Sequence, residues 1–196
     1  GDVVRQAPGA HVTGLLAEPL VGQVVAGVIP TFSGHARLRA VPRPRVLEVL
    51  EPVVAAMHAA AARVVVHVGT AVGGVAPAVL AGADGVGLDV GPWDERRWET
   101  IATAVERGVE LWQGLPPASV SSCTGPDVAG LAALVSDPWR RVGLPVGDLT
   151  RVVLHETLGE VRVDPVPPVP RSTDDARTSA RNLRRAALLL AERAAG

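Results

Sequence analysis

Lysine and tyrosine are absent from this 196-residue chain, and cysteine, methionine and phenylalanine occur once each. With Cys123 as the only thiol, an internal disulfide and any zinc site built from several cysteines are excluded. A single cysteine fits a reducing, cytoplasmic setting. All 19 cationic side chains are arginine, and the net charge is only -1. No basic field exists to attract nucleic acid. Lys, Tyr, Phe, Asn and Ile are depleted together, and all have AT-rich codons. The arginine content therefore reflects coding bias rather than phosphate binding. No run of about 18 uninterrupted apolar residues occurs, so no transmembrane helix is expected. The start lacks a basic segment followed by an apolar one, so no signal peptide is expected. Apolar residues make up 47%, which is enough for a core and excludes a disordered chain.

What is present alternates. Short β-branched or Leu-rich runs are separated by Ala-rich stretches, the pattern of an α/β domain with a parallel sheet. Five strands are predicted, over Val12–Glu18, Val64–His67, Val86–Asp89, Val109–Gln113 and Arg151–His155. The middle three are nearly continuous apolar runs, as strands covered by helices should be. Helices are predicted over Leu20–Gly27, Pro44–Ala62, Gly74–Gly82, Trp93–Arg107 and Asp127–Arg141, with a last one capped by Ser172 or Thr173. Pro44 suits a first turn, whereas Pro52 predicts a kink or interruption. Val46, Val49, Leu50, Val53 and Met57 share one face of the second helix. In the last helix Ala176, Ala180, Leu183, Ala187, Leu190 and Ala194 share a face, leaving Arg181, Arg184 and Arg185 to solvent. Ile29–Ala40, Ser119–Pro126 and the proline-rich Asp164–Pro170 read as loops. The length suits a single domain spanning residues 1–196.

One feature recurs along these strands. Glu18, His67, Asp89, Gln113 and His155 each end an otherwise apolar strand, and Glu156 follows directly. In a parallel α/β protein those ends share one rim, where barrel and doubly wound enzymes carry their active sites. Plainer roles exist for each: a solvated loop at Glu18, a satisfied core histidine at His67, a helix cap at Asp89, a structural amide at Gln113. Val68–Gly74 (VGTAVGG) is a glycine-rich strand-to-helix turn, but it fits neither GxGxxG nor P-loop spacing. Cys123 has no adjacent histidine to activate it, and the four tryptophans read as core or rim packing. No GxSxG, HExxH or EF-hand pattern occurs.

Several of these stretches resemble the catalytic C-terminal barrel of the cobalamin-independent methionine synthase family, related in fold to uroporphyrinogen decarboxylase. Glu18–Val41 resembles the family segment that follows an Asp-Glu-Pro strand end. Val64–Gly69 (VVVHVG) resembles the strand carrying its His-x-Cys metal motif. Ala81–Asp89 (AGADGVGLD) resembles the next helix-to-strand passage, which ends in an acidic residue, and Val109–Gly114 (VELWQG) the strand after it. Thr157-Leu158-Gly159 falls where the family has Thr-Cys-Gly. The likeness covers most of the chain and is loosest between Leu115 and Thr150.

The resemblance implies a partial or compact (β/α)8 TIM barrel, here with about five parallel strands and flanking helices. It implies a zinc ion that holds a homocysteine thiolate for methylation by a methyl-folate. It makes His67 and Asp89 the metal ligands and Glu18 a substrate-orienting residue, with His155 and Glu156 as further catalytic candidates. The chain departs from the family at four positions, the first being Asp89, which is shorter than the family's Glu. Gly69 and Leu158 occupy the two cysteine positions and cannot ligate metal, and Ala17 replaces the Asp of Asp-Glu-Pro. The expected function is therefore a methionine synthase-like domain with a degenerate zinc site. The expected partners are a small-molecule amino-acid thiol and methyl-folate. One alternative is a metal-dependent hydrolase or lyase using His67, Asp89, His155 and Glu156. The other is a non-catalytic binding or assembly domain. A full barrel takes about 250 residues. Five strands thus predict an open sheet edge, covered by a missing N-terminal half or by a second copy.

Overall fold

The computed structural model describes residues 9–60, 62–116, 120, 127–158 and 172–196. Cys123, Gly159, most of the Ser119–Pro126 loop and the Asp164–Pro170 segment lie outside the described residues.

Val64, Val65 and Val66 carry no polar side to turn outward, so a strand made of them must be covered on both faces. It is: all three are buried, in β2 (Arg63–His67). β1 (Thr13–Ala17), β3 (Gly85–Asp89), β4 (Glu110–Leu115) and β5 (Val153–Glu156) complete a sheet in sequence order, every pair parallel. The sheet curls into a half-barrel flanked by helices, a partial TIM barrel. All five strands fall within two residues of their predicted positions.

The helices are α1 (Val21–Ala26), α2 (Arg43–Ala59), α3 (Val75–Leu80), α4 (Glu95–Glu106), α5 (Val128–Arg141) and α6 (Thr173–Ala195). Val72–Gly74 and Val146–Arg151 form 3₁₀ turns, the second unforeseen in the sequence. Side-chain caps set three helix starts. Asp94 accepts from Arg97 N at 2.9 Å, Asp127 from Gly130 N at 2.9 Å, and Ser172 from Asp175 N at 3.0 Å. The outer strand residues Val64, Val66, Val86, Leu88 and Leu111 pack with Val54, Ile101, Val135 and Trp139 in the main core. Each fully buried side chain of this kind contributes about 1.5–3 kcal/mol. Among the described residues, no helix is long and apolar enough to cross a membrane.

Three sequence expectations need correction. α2 runs unbroken through Pro52. Pro52 and Glu48 are both exposed, so the ring leaves the Glu48 carbonyl unbonded on a face open to solvent. On the same helix the buried residues are Val46, Leu50 and Val54, while Val49 (62% exposed) and Val53 (40%) face outward. On α6 the buried line is Ser179, Asn182, Ala186 and Leu190. It is drawn round by Asn182, whose Nδ2 donates to the buried Val120 carbonyl at 2.8 Å. The Ile29–Ala40 loop has internal order: Pro30 bridges Arg37, and Thr31 N donates to Ala36 O.

Candidate functional site

The pleat decides which strand-end groups can meet. Ala17 pairs with His67, His67 with Gly87, Asp89 with Gly114, and Gly114 with His155. Neighbours in register point to the same face, so His67, Asp89 and His155 share the concave face, with Trp112 one pleat below His155. Glu18, Gln113 and Glu156 have the opposite parity. Glu18 is exposed and lines an apolar cavity on the helix side with Leu16 and Val46. Gln113 is buried there and donates through Nε2 to Leu88 O at 2.8 Å, the structural role. Glu156 pairs in register with Leu115, which packs against Ala186 of α6. The rim expected from the sequence exists in the main chain. Its polar tips divide between two faces.

On the concave face the three side chains are close. His67 Nε2 lies 3.4 Å from Asp89 Oδ1, and the His67 and His155 rings meet edge to face with centroids 5.1 Å apart. His67 and Asp89 are buried. Two glycines make the room. A Cβ on Gly87 would collide with the His67 ring, and one on Gly114 would collide with Asp89 Oδ1 and lie 3.0 Å from His155 Cε1. Both sit inside strands, where a glycine marks a close approach. They could have been found in the sequence on that ground.

The hydrogen bonds fix the tautomers. Gly69 N donates to His67 Nδ1 at 3.3 Å, so the proton of a neutral His67 is on Nε2, aimed at Asp89. His155 Nδ1 donates to the Glu156 carbonyl, leaving a lone pair on Nε2. His67 Nε2, Asp89 Oδ1 and His155 Nε2 are all buried without a hydrogen-bond partner. Burial lowers the pKa of His155 below its ordinary value, and nearby His67 lowers it further. The Glu156 carbonyl and Asp89 oppose the shift without reversing it. His155 is thus a neutral imidazole at neutral pH.

Arg97 is a supporting residue that the strand-end pattern missed. Its guanidinium donates to the backbone carbonyls of Asp89 and Thr70, tying the end of β3 to the turn after β2. Burial lowers its pKa, while Asp89 and Asp94 counteract.

A thiolate zinc centre does not fit these residues. Gly69 has φ +67°, and a Cβ there would stand 2.9 Å from Pro19 Cβ, so a cysteine would be both strained and crowded. Leu158 supplies no ligand atom. His67 turns a protonated nitrogen toward Asp89, the reverse of what a metal requires. Among the described residues, no three His, Cys, Asp or Glu side chains converge as metal ligands. Of the His/carboxylate set, His67, Asp89 and His155 share the concave face, and Glu156 has the opposite parity. The chain matches no family model and no curated protein, so the chemistry of this face rests on its own geometry.

Proposed function

We propose that this chain is a methionine synthase-like barrel domain whose concave face uses an imidazole–carboxylate acid–base site in place of a thiolate-held zinc ion. One observation carries the reading: His67, Asp89 and His155 meet on one face, with His67 Nε2 turned to Asp89 Oδ1 and the buried His155 Nε2 without a hydrogen-bond partner. Leaving a buried polar atom unsatisfied costs about 1–3 kcal/mol. His67 Nε2 and Asp89 Oδ1 at least face each other at 3.4 Å, but the buried His155 Nε2 has no partner, which is hard to reconcile with a purely structural role.

Each residue has a distinct task. His155 Nε2 holds the free lone pair and is the general base, kept neutral by burial. Asp89 stands beside it and stabilises the imidazolium that forms. His67 is held by Gly69 N–H and directs its own Nε2–H at Asp89, positioning the carboxylate. Arg97 fixes the backbone from which Asp89 projects. The resemblance supplies the substrate class, an amino-acid thiol. His155 takes the thiol proton, and the thiolate attacks the methyl carbon of a methyl-folate. The carbon–nitrogen bond breaks with its electron pair on the folate nitrogen, which receives the proton back from His155.

The test is to add homocysteine and follow thiolate absorbance in the ultraviolet. Wild type should develop the thiolate band on binding, and His155→Gln should bind without developing it. Methyl transfer is assayed alongside with methyl-folate. If homocysteine leaves the His67 and His155 imidazole NMR signals unmoved, the substrate assignment is wrong.

A further inference from the structure

One large side chain of the concave face takes no part in the proton transfer. Trp112 stands one pleat below His155 on the neighbouring strand β4, with ring centroids 6.4 Å apart and planes tilted by 47°. It is the largest apolar side chain that the strands turn to this face. In register it lies between Gly87 and Val153, so β3 offers no side chain of its own at that level to wedge the indole in place. Trp112 is held from below instead. Its Nε1 donates to Glu110 Oε2 at 2.9 Å, and Arg63 Nη2 lies 3.3 Å from the same oxygen. Arg63 reaches it from β2 across β3, near Gly85, which pairs with Glu110 in register and has no side chain to block the way. The Glu110 side chain is only 17% exposed. A largely buried carboxylate that takes an indole N–H and a guanidinium on one oxygen is a fixed anchor.

We propose that Glu110, braced by Arg63, clamps Trp112 beneath His155, and that the clamped indole is the wall that keeps water from the His155 ring. Trp112 is thus a positioning residue, which bears on His155 and not on the substrate. The shielding is local: His155 as a residue is half-buried, yet its Nε2 is fully buried. Other groups do not account for a neutral ring. Asp89 on β3 and the main-chain carbonyls of Glu156 and Trp112 favour the charged form, His67 on β2 opposes it, and burial outweighs them. An indole face supplies burial without adding charge. The proposal rests on the acid–base reading for its use, since a base must be neutral to take a proton.

The experiment is an NMR titration of the His155 imidazole in the full chain without substrate, with circular dichroism to confirm folding. Trp112→Leu should raise the His155 pKa toward the ordinary value of about 6.5. Glu110→Ala removes the anchor but leaves the indole, and it should raise the pKa in the same direction. Should Trp112→Leu fail to fold, Glu110→Ala decides, since it leaves the apolar core untouched. Glu110→Gln keeps an acceptor for the indole N–H and should stay near wild type. The sign separates a clamp from a plain charge effect. Were Glu110 only a negative charge near the ring, both of its variants would lower the pKa, because a lost anion disfavours imidazolium. Combining Glu110→Ala with Trp112→Leu should add nothing to Trp112→Leu alone, because Glu110 works through the indole. A pKa that Trp112→Leu leaves unmoved, that Glu110→Ala fails to raise, or that Glu110→Gln raises as far as Glu110→Ala overturns the clamp. No substrate enters this titration, so its failure strikes the clamp alone, whereas failure of the homocysteine test strikes the acid–base reading.

Discussion

His155 carries a pH signature that follows from its surroundings. Its folded pKa lies below the ordinary imidazole value, chiefly because burial disfavours the charged ring. The unfolded chain therefore binds a proton more readily than the folded one. Above the ordinary value of about 6.5 both states are neutral there and no penalty applies. As pH falls from about 6.5 toward the depressed folded value, stability drains away. Urea midpoints measured from neutral pH to about pH 5 should fall with acid in wild type. His155→Gln should flatten that part of the slope. An equal slope in both proteins would remove His155 as its source. Such residue-level detail was only half visible in the sequence. Strand ends are marked by the first polar side chain after an apolar run, so His67, Asp89 and His155 stood out. So did Glu18 and Gln113, because an all-apolar strand carries no polar alternation to show which face its last residue takes. The pleat sends those two to the helix side. Gly69 is legible only once its positive φ is known.

At the scale of elements, short apolar runs located all five strands, and the middle three were nearly continuous, as Val64–Val66 shows in a strand covered on both faces. Helix faces were less legible. In α6, alanine fits either side, so spacing alone did not reveal that Asn182 points inward to Val120 O. In α2, Val49 and Val53 match the apolar stripe but stand exposed among the described residues. The unbroken passage of α2 through Pro52 has a measurable consequence. Pro52 forfeits one helical hydrogen bond and crowds the preceding turn, on an exposed surface where the rest of the helix holds it. Pro52→Ala should restore both and stabilise the protein by roughly 1–3 kcal/mol, less the smaller gain in unfolded-chain entropy. Thermal unfolding at fixed protein concentration should show a higher midpoint. An unchanged or lower midpoint would mean that Pro52 contributes contacts that the helix alone does not reveal.

For the whole molecule, the alternation that sorts side chains also sorts amides. Glu18 N donates to His67 O and Arg63 N donates to Val12 O, so the even-numbered residues of β1 face β2. The amides of Leu15 and Ala17 consequently point to the open edge. In an isolated half-barrel they meet only water and exchange their hydrogens freely, whereas the Leu16 amide is held by the sheet. Hydrogen exchange should therefore show Leu15 and Ala17 fast and Leu16 slow. This pattern separates two causes of slow exchange. General stabilisation would slow all of β1 together, whereas edge pairing slows only the odd-numbered amides. Slow exchange at Leu15 and Ala17, equal to that at Leu16, would mean that a strand from outside the described residues pairs with the β1 edge.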